Sequence, residues 1–210
     1  MVKSAKLSPS PIGAVRTRRA YFDLTFGQLH VRTAFPATGG FDEQAPLFCL
    51  HAEHGSSRAF ARFLPEIADA RSVYAPDLPG CGESDAAQGS GVAAAADAIS
   101  DLANDLRLRQ IDLLGVHSGA MIALGLAAAR PALVRRVVLI GIPAADRLPQ
   151  VSAPTLVMRT RLESPESLAK LKALLRNAKV EDIAEYADDL FDAQPKTLAK
   201  QIGAFLSGRP

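Results

Sequence analysis

Short apolar runs alternate with helical stretches along most of this chain, and that alternation constrains the fold more than any other feature. Residues 47–50 and 111–114 are apolar at nearly every position, as expected of strands buried on both faces. Longer stretches with apolar residues at helical spacing, such as 92–108, separate these runs. Strands that alternate with helices build a mostly parallel sheet covered on both faces. We therefore predict an α/β fold.

Periodicity and turn signals place the individual elements. The predicted helices are 58–70, 92–108, 119–130, 165–176 and 195–206, and the predicted strands are 47–50, 72–75, 111–114, 137–142, 155–158 and, more weakly, 180–184. Ahead of them, strands 21–26 and 29–34 alternate in polarity and are joined at Gly27-Gln28, which predicts a β-hairpin. We place His30 on the exposed side of that hairpin.

Length and composition favour one domain, at residues 20–210. The chain has 210 residues, 48% of them apolar, which is enough to bury one substantial core. Residues 1–19 carry several basic side chains and few apolar ones, so we expect a disordered basic tail. A formal net charge of +2 gives no reason to expect nucleic-acid binding.

Signals for membranes, metals and cofactors are weak in this sequence. No segment approaches the ~20 apolar residues of a membrane span, and the first residues lack the apolar run of a secretory signal. The two cysteines, Cys49 and Cys81, lie far apart without a metal-ligand spacing, and no neighbour of Cys81 would lower its pKa. We expect a cytoplasmic protein that binds no membrane or metal and uses no cofactor.

The segment Gly115-Val-His-Ser-Gly119 is the strongest candidate for a functional site. It follows the apolar strand at 111–114 and leads into a helix of small residues. In such a strand–turn–helix, two glycines permit a sharp, strained turn that exposes the central side chain at the top of the sheet. The central residue here is His117.

Four segments, in chain order, resemble landmarks of the α/β-hydrolase family. Leu50-His51 stands where the third strand usually ends in His-Gly, and residues 75–84 resemble the family's Pro-Gly-x-Gly-x-Ser loop. Residues 115–120 resemble its nucleophile elbow, and residues 153–157 resemble the strand before its catalytic acid. The resemblance extends from about Tyr21 to Gly208. It implies an α/β-hydrolase fold and a small-molecule substrate.

The family usually carries a serine at the tip of the elbow, and two registers are open here. In one, the two glycines flank His117; in the other, Val116 precedes Ser118 at the tip. We favour the first, because Val116 would crowd the turn and because His117 lies 14 residues before Pro131, close to the family's usual spacing. Ser118 would then face away from the pocket or cap the helix.

The other two triad positions also depart from the family's pattern. Its spacing places the orienting acid at Glu163 and puts Asp188 where the base, usually a histidine, should stand. No histidine follows His117, so a serine nucleophile would lack its usual proton acceptor. The resemblance implies a hydrolase with a non-standard triad, in which His117 acts as base or nucleophile and Glu163 or Glu53 orients it.

The loop Ala52-Glu-His-Gly after the third strand is expected to rim the same pocket. Hydrolases take one N–H of the oxyanion hole from this loop, and Ala52 replaces the usual glycine. Glu53 and His54 could reach His117 across the pocket, whereas His51 is expected to bond loop backbone. Together with the elbow, the loop resembles a branch of the family whose elbow reads Gly-x-His-Thr-Gly-Ala.

Residues 144–154 leave little room for the helical cap that many relatives insert after the sixth strand. We therefore expect a capless protein whose open sheet top could be covered in a homodimer. Three hypotheses follow: a hydrolase of a small ester or other carbonyl compound, an inactive protein that binds a small molecule, or a dimeric assembly protein with its contact near residues 143–147.

Overall fold

The computed structural model describes residues 15–37, 44–89, 91–141, 150–159, 165–175, 177–183 and 190–208. Its strands are β1 (Arg16–Leu24), β2 (Gly27–Phe35), β3 (Leu47–Leu50), β4 (Val73–Pro76), β5 (Ile111–Val116), β6 (Val134–Ile140), β7 (Thr155–Arg159) and β8 (Ala178–Asp182). Its α-helices are α1 (Leu64–Ile67), α2 (Gly91–Asp105), α3 (Ser118–Ala129), α4 (Pro165–Leu174), α5 (Leu190–Ala193) and α6 (Pro195–Ser207), and a 3₁₀ helix covers Ser57–Phe60.

The described strands form one sheet in the order β1-β2-β4-β3-β5-β6-β7-β8. From β4 to β8 all neighbours are parallel, whereas β1 pairs with β2, and β2 with β4, in antiparallel fashion. The predicted α/β fold with an N-terminal hairpin is confirmed. Because the parallel strands all end at the same edge, the segments after β3, β5 and β6 converge there.

Helices cover the two faces of the sheet and divide the core into two layers. On one face, α2 and α3 bury Ile99, Leu102 and Leu126 against the strands. On the other face, α1 and α6 bury Ile67 and Ile202. Full burial of each such side chain stabilises the fold by roughly 1.5–3 kcal/mol. No described helix has the length and apolar character needed to cross a bilayer.

Three sequence predictions about local structure are wrong. Strand β1 begins at Arg16, so residues 16–19, predicted to be disordered, form backbone hydrogen bonds with β2, and the hairpin turn lies at Thr25-Phe26. Exposed arginines are compatible with an edge strand, because ladder pairing does not require an apolar side chain. Residues 1–14 lie outside the described residues. The predicted helix 58–70 is instead the short 3₁₀ helix followed by α1.

A buried charge cluster that the sequence analysis did not identify lies near the amino ends of the central strands. Asp112 is fully buried, and its carboxylate accepts hydrogen bonds from Arg71 at 2.9 Å and from Arg135 at 2.5 and 3.0 Å. Arg135 and Arg136 also donate to the carbonyl oxygen of Leu206 at the end of α6. The cluster therefore links β5 and β6 to the last helix, at the edge of the sheet opposite the elbow.

Candidate functional site

His117 occupies the turn between β5, which ends at Val116, and α3, which begins at Ser118. Its backbone angles are φ 49° and ψ −110°, a conformation that residues with a side chain rarely adopt. Strain of this kind costs roughly 1–3 kcal/mol and persists only where the surrounding structure imposes it. The imidazole, and not the Ser118 hydroxyl, therefore stands at the tip of the turn.

Backbone crowding around the turn explains the two glycines. A Cβ atom on Gly115 would lie 2.5 Å from the carbonyl oxygen of Gly119. One on Gly119 would lie 2.3 Å from the carbonyl oxygen of Leu50 and 2.6 Å from that of His51. These contacts are too short for any side chain, so the first turn of α3 packs directly on the end of β3. This close approach brings the loop after β3 next to the elbow.

Ser118 is the first residue of α3, and its hydroxyl is used by that loop. Its Oγ accepts a hydrogen bond from the backbone N–H of Glu53 at 2.5 Å. Ser118 neither caps its own helix nor lies among the residues that line the cavity beside His117. The N–H of Glu53, which belongs to the loop that supplies an oxyanion donor in hydrolases, is therefore already paired.

His51 is buried, and both of its ring nitrogens form hydrogen bonds with backbone groups. Its Nδ1 donates to the carbonyl oxygen of Ala52 at 2.7 Å, and its Nε2 accepts from the N–H of Leu78 at 2.9 Å. This pair of bonds requires the neutral ring with the proton on Nδ1. Burial lowers the pKa of His51 below its ordinary value of 6.5. The imidazole thus fixes the loop and the segment after β4 side by side.

Asp77, in the loop after β4, stabilises the same region through hydrogen bonds. Its carboxylate accepts from the backbone N–H groups of Ser57 at 2.6 Å and Glu83 at 2.9 Å and from Nδ1 of His30 at 2.9 Å. Burial by itself would raise the pKa of Asp77, but these hydrogen bonds outweigh it and hold the pKa below the usual value. Ser84 adds a bond from its hydroxyl to the carbonyl oxygen of Asp77, so both residues stabilise the loop after β4.

His30 is almost completely buried, which contradicts its predicted place on the exposed side of the hairpin. Strand β2 is not at the edge of the sheet, because β4 continues it on the other side. The ring of His30 packs against Tyr21, its partner across the hairpin, and bonds to Asp77. The alternating pattern of the hairpin did not reveal that both faces of β2 are covered.

A cavity of about 280 Å³ opens beside His117 at the carboxyl ends of the strands. Much of its wall is apolar and comes from distant parts of the chain: Phe60, Val116, Ile140, Leu190 and Phe191. The two imidazoles that line it are those of His117 and His51, and the second is committed to backbone groups. The geometry suits a small, mainly apolar ligand with a polar group directed at His117.

The structure brings some predicted site residues together and separates others. His51 and Ala52 line the cavity with His117. The side chains of Glu53 and His54 are mostly exposed and lie 4.0 Å from each other, so this pair faces solvent. Glu163 and Asp188 are outside the described residues. Cys81 is half-buried, and burial raises its pKa, which disfavours a thiolate nucleophile.

Sequence reasoning missed the short helix α5, which supplies Leu190 and Phe191 to the cavity wall. Phe191 packs edge-on against Phe60 and Phe63, with ring centroids 4.8 and 5.1 Å apart. The apolar Leu-Phe pair shortly before Pro195 was a visible signal, but four residues are too short for a periodicity. Among the described residues, no group of histidines, cysteines and carboxylates could hold a metal ion.

Comparison with known proteins places this arrangement in a family. A family model described as alpha/beta hydrolase fold matches residues 45–170, more than half of the chain. This chain belongs to the α/β-hydrolase family. No curated protein sequence matches it significantly. The matched range contains the four segments on which the resemblance rests, at residues 50–51, 75–84, 115–120 and 153–157.

Solved α/β-hydrolase structures agree with this assignment at the level of the fold. The epoxide hydrolase CorEH is 13% identical, with a TM-score of 0.78 and coverage of 90% of this chain and 98% of that one. Naproxen esterase from Bacillus subtilis is 16% identical, with a TM-score of 0.77 and coverage of 92% and 93%. Haloalkane dehalogenase DbeA from Bradyrhizobium elkani is 15% identical, with a TM-score of 0.74 and coverage of 92% and 98%.

Proposed function

We propose that this α/β-hydrolase-family protein hydrolyses a small, mainly apolar ester or related carbonyl compound, with His117 as the reacting group. The observation that carries the proposal is the position of His117 on a strained turn at the edge of the 280 Å³ cavity. The family holds its nucleophile at this turn. A conformation that costs free energy and presents an imidazole to a cavity is better explained by chemistry than by packing.

In the proposed reaction, His117 is a general base. Its neutral imidazole takes a proton from water as the water oxygen bonds to the substrate's carbonyl carbon, and the carbonyl π electrons move to oxygen. When the tetrahedral intermediate collapses, the C–O bond to the alcohol breaks and the imidazolium returns its proton to the leaving oxygen. The products are a carboxylic acid and an alcohol, and His117 is regenerated.

The cavity supports the proposed substrate class. Its walls of Phe60, Phe191 and aliphatic side chains would hold an acyl or alkyl group of a few carbons. Two structures with similar folds are named as an esterase and an epoxide hydrolase, and both names denote hydrolysis. Glu163 is our proposed orienting acid for His117. Asp188 is our proposed residue at the family's base position, and it takes no part in the reaction described above.

We also propose that the site is capless, because only residues 141–154 separate β6 from β7. An open site admits water readily, which suits a mechanism in which water itself is the nucleophile. A homodimer contact near residues 143–147 and a cytoplasmic location stay predictions of the sequence. Residues 142–149 lie outside the described part of the chain.

Activated esters test the proposal directly. We expect saturable hydrolysis of p-nitrophenyl butyrate that falls about 10²-fold or more in His117→Ala, within the range of general-base catalysis. The matched control is His54→Ala, which removes an exposed imidazole near the site and should leave the rate unchanged. Equal rates for wild type and His117→Ala, with both variants folded, would overturn the catalytic role.

One observation favours a second function, binding without turnover. Because the N–H of Glu53 is paired with Ser118, the cavity lacks that donor for a developing oxyanion, and loss of one such donor typically costs about 10²–10³ in rate. A binding protein would be stabilised by small apolar ketones or esters, with a higher Tm at saturating ligand and no product formed. Stabilisation that disappears in His117→Ala, without turnover in wild type, would establish this alternative.

A further inference from the structure

Two arginines stand opposite each other on the N-terminal hairpin, at a place that takes no part in the proposed reaction. Arg19 of β1 and Arg32 of β2 are direct partners in the antiparallel register. Side chains at such positions point to the same face of a sheet with their Cβ atoms about 4.5–5.5 Å apart. Like charges in this arrangement are destabilising unless something neutralises them.

A second pocket, of about 250 Å³, lies where this pair meets α1. Its lining combines cationic and hydroxyl-bearing residues of the hairpin with an apolar wall, namely Arg18, Arg19, Arg32, Thr17, Thr33 and Leu64. No aspartate or glutamate lines it among the residues that the structure describes. We call this site the arginine pocket.

The charges of the arginine pocket are not balanced from within the described chain. None of its three arginines forms an ion pair or a side-chain hydrogen bond with a described residue. The Nε atom of Arg32 is buried and has no hydrogen-bond partner. A buried donor left unpaired costs about 1–3 kcal/mol, so an acceptor at this position would stabilise the fold.

Glu83 is a carboxylate that interacts electrostatically with Arg19, and it is already hydrogen-bonded to another residue. Its carboxylate accepts a hydrogen bond from the Tyr21 hydroxyl, and that bond, with a weaker contribution from Arg19, lowers its pKa. Glu83 is exposed and does not line the pocket. The guanidinium groups of Arg19 and Arg32 thus remain available to an acceptor from outside the chain.

We propose that the arginine pocket binds the phosphate group of a small phosphorylated compound. A phosphate monoester carries about −1.5 to −2 charges at pH 7, which matches the opposed pair of guanidinium groups. Its oxygens also accept the forked hydrogen bonds that arginine donates. The pocket volume exceeds what a phosphate ion fills, and the wall at Leu64 gives the organic part an apolar contact.

Binding of pyrophosphate and phenyl phosphate to the full-length protein tests this proposal, by calorimetry at fixed ionic strength with chloride as the reference anion. We expect saturable binding that weakens at least tenfold in Arg32→Gln and in Arg19→Gln. The matched control is Arg109→Gln, which removes an exposed arginine outside the pocket and should bind as wild type does. Because Arg19 is exposed, its variant keeps the test valid even if Arg32→Gln folds poorly.

Further arms identify the source of the phosphate. Competition between pyrophosphate and phosphatidylcholine vesicles that contain phosphatidic acid distinguishes a soluble ligand from a lipid headgroup.

The stability of the variant is a separate measurement. Without added anion, Arg19→Gln should unfold at the same Tm as wild type or a higher one, because the like-charge pair is gone. Absence of saturable binding, equal weakening in Arg109→Gln, or equal affinity for citrate would overturn the proposal. The pocket does not depend on His117, so failure of the proposed hydrolysis would leave this result unaffected.

Discussion

The hydroxyl of Ser118 accepts a hydrogen bond of 2.5 Å from the backbone N–H of Glu53, and this bond joins the first turn of α3 to the loop after β3. In the α/β-hydrolase family that loop contributes a donor to the oxyanion hole. The residue that follows His117 therefore occupies a backbone donor of that loop. The Ser118 hydroxyl is thus engaged by loop backbone, and Ser118 is not among the residues that line the cavity beside His117.

Replacement of Ser118 by alanine should not reduce ester hydrolysis. We expect kcat/KM for p-nitrophenyl butyrate to stay within a few fold of wild type or to rise by up to ~10-fold, because the Glu53 N–H is released. A fully aligned donor is worth more, about 10²–10³ in rate, but Glu53 is not among the residues that line the cavity, so we expect a smaller gain. A loss of 100-fold or more in a folded Ser118→Ala protein would identify Ser118 as the nucleophile and the register proposed here as wrong.

Replacement of His117 by glycine should stabilise the fold relative to replacement by alanine. Both variants lose the imidazole, but alanine retains a Cβ at φ 49°, where glycine adopts the conformation without strain. Strain of about 1–3 kcal/mol, offset by the extra chain entropy of glycine, leaves an expected difference of about 1 kcal/mol. Urea unfolding measures it. A less stable glycine variant would show that the turn is not strained.

The pH dependence of stability should reveal the buried imidazole of His51. Its folded pKa lies below 6.5, so between the two values the unfolded chain binds a proton that the native chain does not. Its contribution to stability is therefore complete above pH 6.5 and declines as the pH falls below 6.5 toward the folded pKa. We compare the unfolding free energies of wild type and His51→Gln between pH 7.5 and 5. The difference between the two proteins should be smallest at the acid end of this range. Parallel curves would contradict this linkage.

Removal of the buried carboxylate of Asp112 should destabilise the protein strongly. Asp112→Ala leaves the guanidinium of Arg71, which is also buried, without its charged partner. Breaking such a pair typically costs about 3–5 kcal/mol, and we expect a loss of that size in chemical denaturation. The exposed pair of Glu166 and Lys170 on α4 is the control, because Glu166→Ala should cost less than about 0.5 kcal/mol. Similar losses in both variants would refute the role of burial.

Much of the architecture could be predicted because it depends on local patterns. Apolar runs placed β3 at its observed bounds, and proline placed the first residue of α6 correctly. The glycines around His117 predicted the strained turn, because few other residues fit so close to a neighbouring backbone. Where the prediction of local structure failed, at residues 16–19 and 58–70, ladder pairing and packing outweighed composition and periodicity.

The sequence by itself determined the α/β fold and the presence of His117 at the tip of the elbow, since both follow from periodicity and from the steric needs of a short segment. Only the tertiary structure decided what surrounds that histidine. The bond between Ser118 and Glu53, the burial of His30 and the contribution of Phe191 to the cavity join residues far apart in the chain. Such contacts depend on how strands and helices are packed together, and no local pattern encodes that arrangement.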